Sequence, residues 1–302
     1  MGGLLMPVDD MKAGIQALTE GRYRKAVELL TACYQKNATF RVNYLLTQAL
    51  AKAGDYVAAY ATAKDYPQEY LENDDYFVQY IECGCRAGAV LEIAMLLTGI
   101  SEFLSVTEKE RFCGVIKQTT AQYWKDQSAT ATQVMNQLAH CGGEGVLTQR
   151  QRVKASAALV PHQFVEASRL PLIDPAVHPL VRATLMDDLR RLAVSHPVMM
   201  QPLMGPPQEV VPEELKALDD ISAVRHYRKE IVGCRSEEPL ALRLQRYAEV
   251  RLKLMVLYPF QDDVIDDVER WQLILLNQQD KLSALEQEKA HLLEKTIQQW
   301  RV

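Results

Sequence analysis

The chain has 302 residues, 48% of them hydrophobic and 24% charged, with a formal net charge of −5 and a pI near 5.8. These are the values of a folded chain of one large or two ordinary domains, and they exclude a mainly disordered one. The acidic balance argues against nucleic acid as a partner, whose electrostatic footprint is a basic face.

The N-terminus, MGGLLMPVDD, carries no basic region ahead of its short apolar stretch, so no secretory leader is expected. Gly2 is present, but Met6 stands where a myristoylation motif needs Ser or Thr. No apolar run approaches the ~18 residues of a membrane span. The longest candidate, Ala87 to Ile100, is broken by Gly88, Glu92 and Gly99. A cytoplasmic protein without a membrane partner is the expectation. The six cysteines, Cys33, Cys83, Cys85, Cys113, Cys141 and Cys234, then read as reduced and mostly buried. Cys83 and Cys85 form the one close pair and lack the second cluster that a zinc site requires, so no metal or cofactor is expected.

A period dominates the first hundred residues. Gly21-Arg22-Tyr23-Arg24-Lys25-Ala26, Gly54-Asp55-Tyr56-Val57-Ala58-Ala59 and Gly88-Ala89-Val90-Leu91-Glu92-Ile93 align, with glycines 33 and 34 residues apart. Glycine suits the left-handed turn that ends one helix and starts another. Ala26 and Ala59, with Gly14 in the preceding helix, are small enough for two helices to approach closely. Tyr23 and Tyr56 are large enough to fill the junction between neighbouring hairpins. The spacing resembles the tetratricopeptide repeat, a helix–turn–helix unit of about 34 residues. The third unit departs from that pattern, with Ile81 and Ile93 at the two small positions, and the second has Thr47 where Gly or Ala is usual. The first has Asp10 where an aromatic is usual. The resemblance implies an all-α, α-α superhelix over 1–105, continuing as helical solenoid over 106–196.

Downstream, residues 107–140 read as one long helix or two kinked ones, opened by a capping box at Thr107–Glu110 and ended by Cys141-Gly142-Gly143. A helix over 144–159 follows. Pro161, Pro171 and Pro175 interrupt the pattern before an amphipathic helix from His178-Pro179 to Val194. The segment DPAVHPLVRATLMDDL, residues 174–189, is similar to tetratricopeptide-like proteins of low-GC Gram-positive bacteria, a resemblance that implies a fold and no reaction. Residues 197–212 hold five prolines and a Gly205-Pro206 turn signal, and read as a loop or short β-hairpin and as a domain boundary. The C-terminal domain, 213–302, reads as helices over 213–218, 221–232 and 239–257, then a long one over 262–300.

Asp262-Asp263-Val264-Ile265-Asp266-Asp267 is similar to the aspartate-rich motif of polyprenyl diphosphate synthases, where carboxylates one turn apart hold Mg²⁺ against a diphosphate. The motif lies too near the C-terminus for that family, and its second aspartate motif is absent. The alternative is a helix capped by Asp262 or Asp263, with acids in its first turns and Asp266 paired to Arg270. No histidine has a second at the i,i+4 spacing of a metal pair. His162, His178 and His196 lie beside prolines near helix ends, which favours capping or solvated roles. No catalytic set is expected.

What remains is binding. In the repeat family the inner face of the first helix of each unit lines a groove for peptides. Carried over by position, that face holds Met11, Ile15 and Leu18, then Arg41, Tyr44, Gln48 and Lys52, then Val78, Glu82 and Arg86. Such a groove suits a protein or peptide partner with apolar and acidic groups. Met11 and Ile15 replace the first positions of the carboxylate clamp found in chaperone-tail receptors. In the tail, Leu275, Leu282, Leu285 and Leu292 fall at heptad positions interrupted by Gln278, Lys289 and Thr296. The terminal helix is therefore expected to dock on its own domain or to pair two copies into a homodimer.

Overall fold

A computed structural model describes residues 7–233 and 238–301, with side chains from residue 11. Gly2, Met6, Cys234 and the Asp10 side chain lie outside the described residues. The chain is all-α apart from one two-stranded ribbon, and it divides into two compact units, Met1–Ala131 and Thr132–Val302. No described helix is long and apolar enough to cross a membrane.

The first unit runs α1 (Pro7–Thr19), α2 (Tyr23–Lys36), α3 (Phe40–Lys52), α4 (Tyr56–Ala63), α5 (Pro67–Leu71), α6 (Asp74–Arg86), α7 (Val90–Gly99) and α8 (Val106–Lys125). α1 packs on α2, α2 on α3, α3 on α4, α4 on α6 and α6 on α8. α1 also touches α3, and α3 touches α6. The odd members of this series thus share a wall.

The three repeated glycines all take positive φ, 73°, 88° and 79° at Gly21, Gly54 and Gly88. Each closes its helix in the same way. The glycine N–H reaches the carbonyl of Leu18, Ala51 or Cys85, and the next N–H, of Arg22, Asp55 or Ala89, reaches back to Ala17, Leu50 or Gly84. That pair of bonds is the Schellman closure, which satisfies carbonyls the helix would otherwise leave open. Ala26 and Ala59 are fully buried, while Tyr23 and Tyr56 are half-buried.

Close helix approach falls on Gly14 and Gly84. A Cβ on Gly14 would lie 2.8 Å from Leu30 of α2, and one on Gly84 would lie 2.6 Å from Ile93 of α7 and 3.0 Å from Tyr60 of α4. The bulky Ile81 and Ile93 of the third unit are accommodated because the glycine sits at 84 instead. Both isoleucines are wholly buried, each such side chain contributing about 1.5–3 kcal/mol on removal from water.

The capping box of α8 uses Ser105 and Glu108, two residues earlier than the expected Thr107–Glu110 pair. Ser105 is the last residue with extended backbone before the helix, so its hydroxyl faces the open N–H groups. The stretch to His140 is two helices separated at residues 126–130, not one.

The second unit comprises α9 (Ala131–Ala139), α10 (Val146–Ser156), α11 (Pro161–Ile173), α12 (Pro179–Arg191), β1 (Val198–Met200), β2 (Gln208–Val210), α13 (Ser222–Val232), α14 (Leu240–Val256), α15 (Gln261–Val264), α16 (Val268–Leu275) and α17 (Ala284–Trp300). The prolines read as breakers at 161 and 171 instead start and ride within α11. Pro161 occupies its first turn, where no N–H is needed, and Pro171 lies two residues before its end. The proline-rich segment is a hairpin, with Val198 opposite Val210 and Met200 opposite Gln208. Its turn is made by Gly205 at φ 92°, and Gln201 N–H docks the ribbon on the Leu172 carbonyl of α11. It lies inside the second unit. Only short 3₁₀ turns occupy residues 212–220, where a helix was expected.

The long C-terminal helix expected over 262–300 is three helices. Asp267, not Asp262 or Asp263, caps α16, accepting from the N–H groups of Glu269 and Arg270. Asp266 accepts from Trp271 Nε1 at 3.2 Å, and Arg270 forks onto Glu286 rather than pairing with Asp266. On α17 the buried ridge is Ala290, Leu293, Thr296 and Ile297, which packs on α10, α14 and α16. The heptad leucines Leu285 and Leu292 lie at the surface. The helix docks within its own unit because the 3.6-residue ridge, not the heptad, carries its core contacts.

Candidate functional site

The site residues anticipated on α3 and α6 divide into three groups. Arg41, Lys52 and Glu82 are exposed, and Gln48 is half-buried. Among the described residues, Arg41 and Lys52 have no ion-pair partner. Gln79 of α6 donates to the Tyr44 carbonyl of α3 at 3.3 Å, which fixes the two helices side by side. Met11, Ile15 and Leu18 on α1 and Val78 on α6 are half-buried.

Tyr44 is not a free groove residue. Its ring lies 4.7 Å from Tyr76 and 6.2 Å from Phe40, within a cluster that includes Tyr66 and Tyr70. Burial, then the Tyr76 phenol, raise its pKa above the ordinary tyrosine value. Behind the cluster sits Asn43, fully buried. Asn43 donates to the Thr62 carbonyl at 2.7 Å and to the Tyr34 hydroxyl at 3.1 Å, and accepts from Tyr70 at 3.1 Å. Tyr34 donates in turn to Asp65 at 2.8 Å, and burial pushes its pKa up to about 12. Tyr44 is thus a ring held in place by its aromatic neighbours.

Arg86 is committed as well. Its guanidinium pairs with Asp126 at 2.8 Å and lies 4.5 Å from the Tyr56 ring centroid, with its side chain 19% exposed. Together with Lys52, Gly54, Asp55, Val57, Tyr123 and Gln127 it lines a cavity of about 400 Å³ at the C-terminal ends of α3, α6 and α8. The repeat turn shapes this cavity directly, since a Cβ on Gly88 would lie 2.9 Å from the Tyr123 hydroxyl. Asp55 caps α4 through the Ala58 N–H. Lys52 is therefore the cation there that is free to meet a ligand. At the other end of the wall Arg111 forks onto Asp74 and Asp75, 2.8 Å each, tying α8 to α6. Sequence reasoning found Lys52 and Arg86 through the repeat register. It missed Asp126 and Tyr123, which come from a helix outside that register.

Cys83 and Cys85 are buried in α6, and burial pushes both thiols up to about 12, so they are held as thiols. Cys113 is exposed, and Cys33 and Cys141 are buried.

In the second unit a cavity of about 340 Å³ is lined by Asp187, Asp188, Arg190, Asp219, Arg251 and Tyr258, among others. Its charges pair with one another: Arg190 with Asp187 at 2.8 Å, Arg251 bidentate on Asp219 at 2.9 Å. Asp188, pushed up to about 6 by burial, has Arg191 3.8 Å away. The aspartates 262–267 do not share one helical face, because the helix breaks between Val264 and Val268, Asp266 accepts from the Trp271 indole N–H and Asp267 caps α16. His178 does cap α12, accepting the Leu180 N–H, but it is buried rather than solvated.

Compared with protein-family models, curated proteins and solved structures, the chain matches none.

Proposed function

We propose that this protein is a non-enzymatic scaffold whose N-terminal unit is a tetratricopeptide-like peptide-binding module. The wall of α1, α3 and α6 takes a segment of a partner protein that carries apolar and acidic side chains. The observation that carries this reading is the state of α3. Arg41 and Lys52 stand at opposite ends of one exposed flank without ion partners, and half-buried apolar residues of α1 and α6 lie on either side. An extended segment would place apolar side chains on Met11, Ile15, Leu18 and Val78 and acids toward the two cations. Tyr44 and Arg86, fixed by the aromatic cluster and by Asp126, supply a preformed surface that loses little freedom on binding. The repeat spacing and the three identical helix closures support the tetratricopeptide-like assignment.

The test is an array of overlapping peptides probed with the whole chain, followed by solution affinities for the peptides it retains. Peptides combining acidic and apolar residues should be enriched. The double reversal R41E/K52E should weaken them roughly tenfold or more, mainly through loss of charge complementarity. Retention of peptides without regard to charge, or unchanged affinity in the double variant, would remove this assignment.

A further inference from the structure

Away from the groove, the α13–α14 hairpin of the second unit presents a second surface. α13 buries Ala223, Val224, Tyr227 and Ile231 and turns Arg225, Arg228, Lys229 and Val232 outward. Those four, with Gly233, line a shallow groove of about 390 Å³. Among the described residues none of the three cations has an ion-pair partner, although the chain as a whole carries a net charge of −5. On α14 the inward ridge is Tyr247, Val250 and Leu254. Leu240 and Leu244 lie on a flank of that ridge, 53% and 48% exposed.

Helical spacing puts Leu240, Leu244 and Arg251 on one flank, since positions 4 and 11 along fall within about half a turn quadrant of the first. Arg251 holds Asp219, and Arg228 acts electrostatically on both Asp219 and Tyr247. Asp219 therefore links the Arg228 end of the α13 groove to the flank of α14 that carries Leu240 and Leu244. Arg243 binds the Val232 carbonyl at 2.6 Å and holds the start of α14 against the end of α13. Exposed leucines beside unpaired cations are complementary to one kind of surface, an apolar ridge flanked by carboxylates.

We propose that this side of the α13–α14 hairpin is a docking surface for an acidic amphipathic helix of a partner protein. The partner's leucine-sized side chains pack against Leu240, Leu244 and Val232, and its carboxylates meet Arg225, Arg228 and Lys229. This surface is independent of the peptide groove of the first unit.

The probe is a synthetic helical peptide with leucine at every third or fourth position and glutamate between. A control has lysine for glutamate. Binding to the whole chain is read by fluorescence anisotropy at low and physiological salt. The glutamate peptide should bind, more weakly as salt rises, and the lysine peptide should not. Both R225E/R228E/K229E and L240Q/L244Q, made in an R41E/K52E background that removes the acidic-peptide site of the first unit, should weaken the remaining binding by about tenfold or more. All substituted residues are exposed or half-exposed, so melting temperatures should hold. If the triple variant melts early, the single R225E and K229E variants serve for the same comparison. No binding of the glutamate peptide, equal binding of the lysine peptide, or indifference to the charge or the leucine variants would each overturn the proposal. So would binding of phosphatidylserine-containing vesicles in preference to the peptide, which would assign the patch to a lipid surface.

Discussion

The Nε2 of His178 lies 2.9 Å from the carbonyl oxygen of Thr296, tying the start of α12 to the terminal helix. Its Nδ1 accepts the Leu180 N–H at 3.2 Å. One ring nitrogen accepts, so the other must be the donor, and the imidazole is held neutral as the Nε2–H tautomer. Burial, and secondarily Arg182, lower its pKa below the ordinary 6.5, against the Thr296 carbonyl, which raises it. The unfolded chain then binds a proton that the folded one refuses. This contribution to stability is present above the unfolded value and is lost as pH falls through it toward the folded value. Melting temperature followed from pH 8 to pH 5 should fall more steeply in the wild type than in H178Q (~pH units set by the ordinary histidine range). H178Q should also be less stable at neutral pH by about 1–3 kcal/mol, since it leaves a buried partner unmet.

Glu286 extends the same acid leg of the pH profile to lower pH. Hydrogen bonds from Arg270, then from Ser283, hold its carboxyl down to about 2. Its contribution is complete above the ordinary glutamate value and is lost as pH falls from there toward 2. E286Q should lower the urea midpoint at neutral pH and reduce the difference between neutral and strongly acidic conditions. An unchanged acid leg in E286Q would show that the fork on Arg270 is not what couples this helix pair to pH.

The repeated closures separate backbone strain from crowding. At Gly54, with φ 88°, no atom lies within 4 Å of an added Cβ, so Gly54→Ala costs only the left-handed strain of about 1–2 kcal/mol. Gly88→Ala carries the same strain plus the Tyr123 hydroxyl at 2.9 Å, and should cost more. Removing the hydroxyl, in G88A/Y123F, should recover part of the excess, since the ring carbon Cζ stays 3.2 Å from the added Cβ. Chemical denaturation of the four proteins reads the difference directly.

Asn43 is the polar centre of the first unit. Asn43→Leu removes two donated bonds and one accepted bond and strands the Tyr70 hydroxyl and the Thr62 carbonyl. The expected loss is roughly 2–4 kcal/mol, above the cost of a typical single buried hydrogen bond. A loss no larger than that of an exposed substitution such as Q35A would show that water replaces the network.

The features legible in the sequence were those set by one or two neighbouring residues. Gly21, Gly54 and Gly88 announced left-handed turns because no other residue adopts them cheaply, and Gly205 with its prolines announced a turn but left loop and hairpin both open. Pro161 misled because a proline in a first turn costs little, and Pro171 because α11 continues through a proline that forfeits one backbone hydrogen bond. The α8 cap was misplaced because Ser105 and Thr107 are both sound caps with glutamate at the right offset, Glu108 and Glu110. Asp266 and Arg270 have good helical spacing, yet the helix breaks at Ile265 and Glu286 offers a bidentate partner 16 residues on. Asp126 and Tyr123 complete the Lys52 cavity from α8, and no local spacing connects them to it. Long-range partners of this kind are fixed by packing, which one sequence does not display.

The Schellman closures of the first unit use backbone groups alone and begin anew at each glycine. Side chains contribute nothing to the closures themselves; after Gly21 and Gly88 the next helix also starts without a side-chain cap, while after Gly54 Asp55 supplies one. A chain lengthened by inserting a copy of residues 21–53 after residue 53 would meet the same junction on both sides. Growth or shortening by whole modules is thereby open to this architecture, whereas an insertion of a few residues within α3 would shift Lys52 and Arg41 relative to one another and split the face they share.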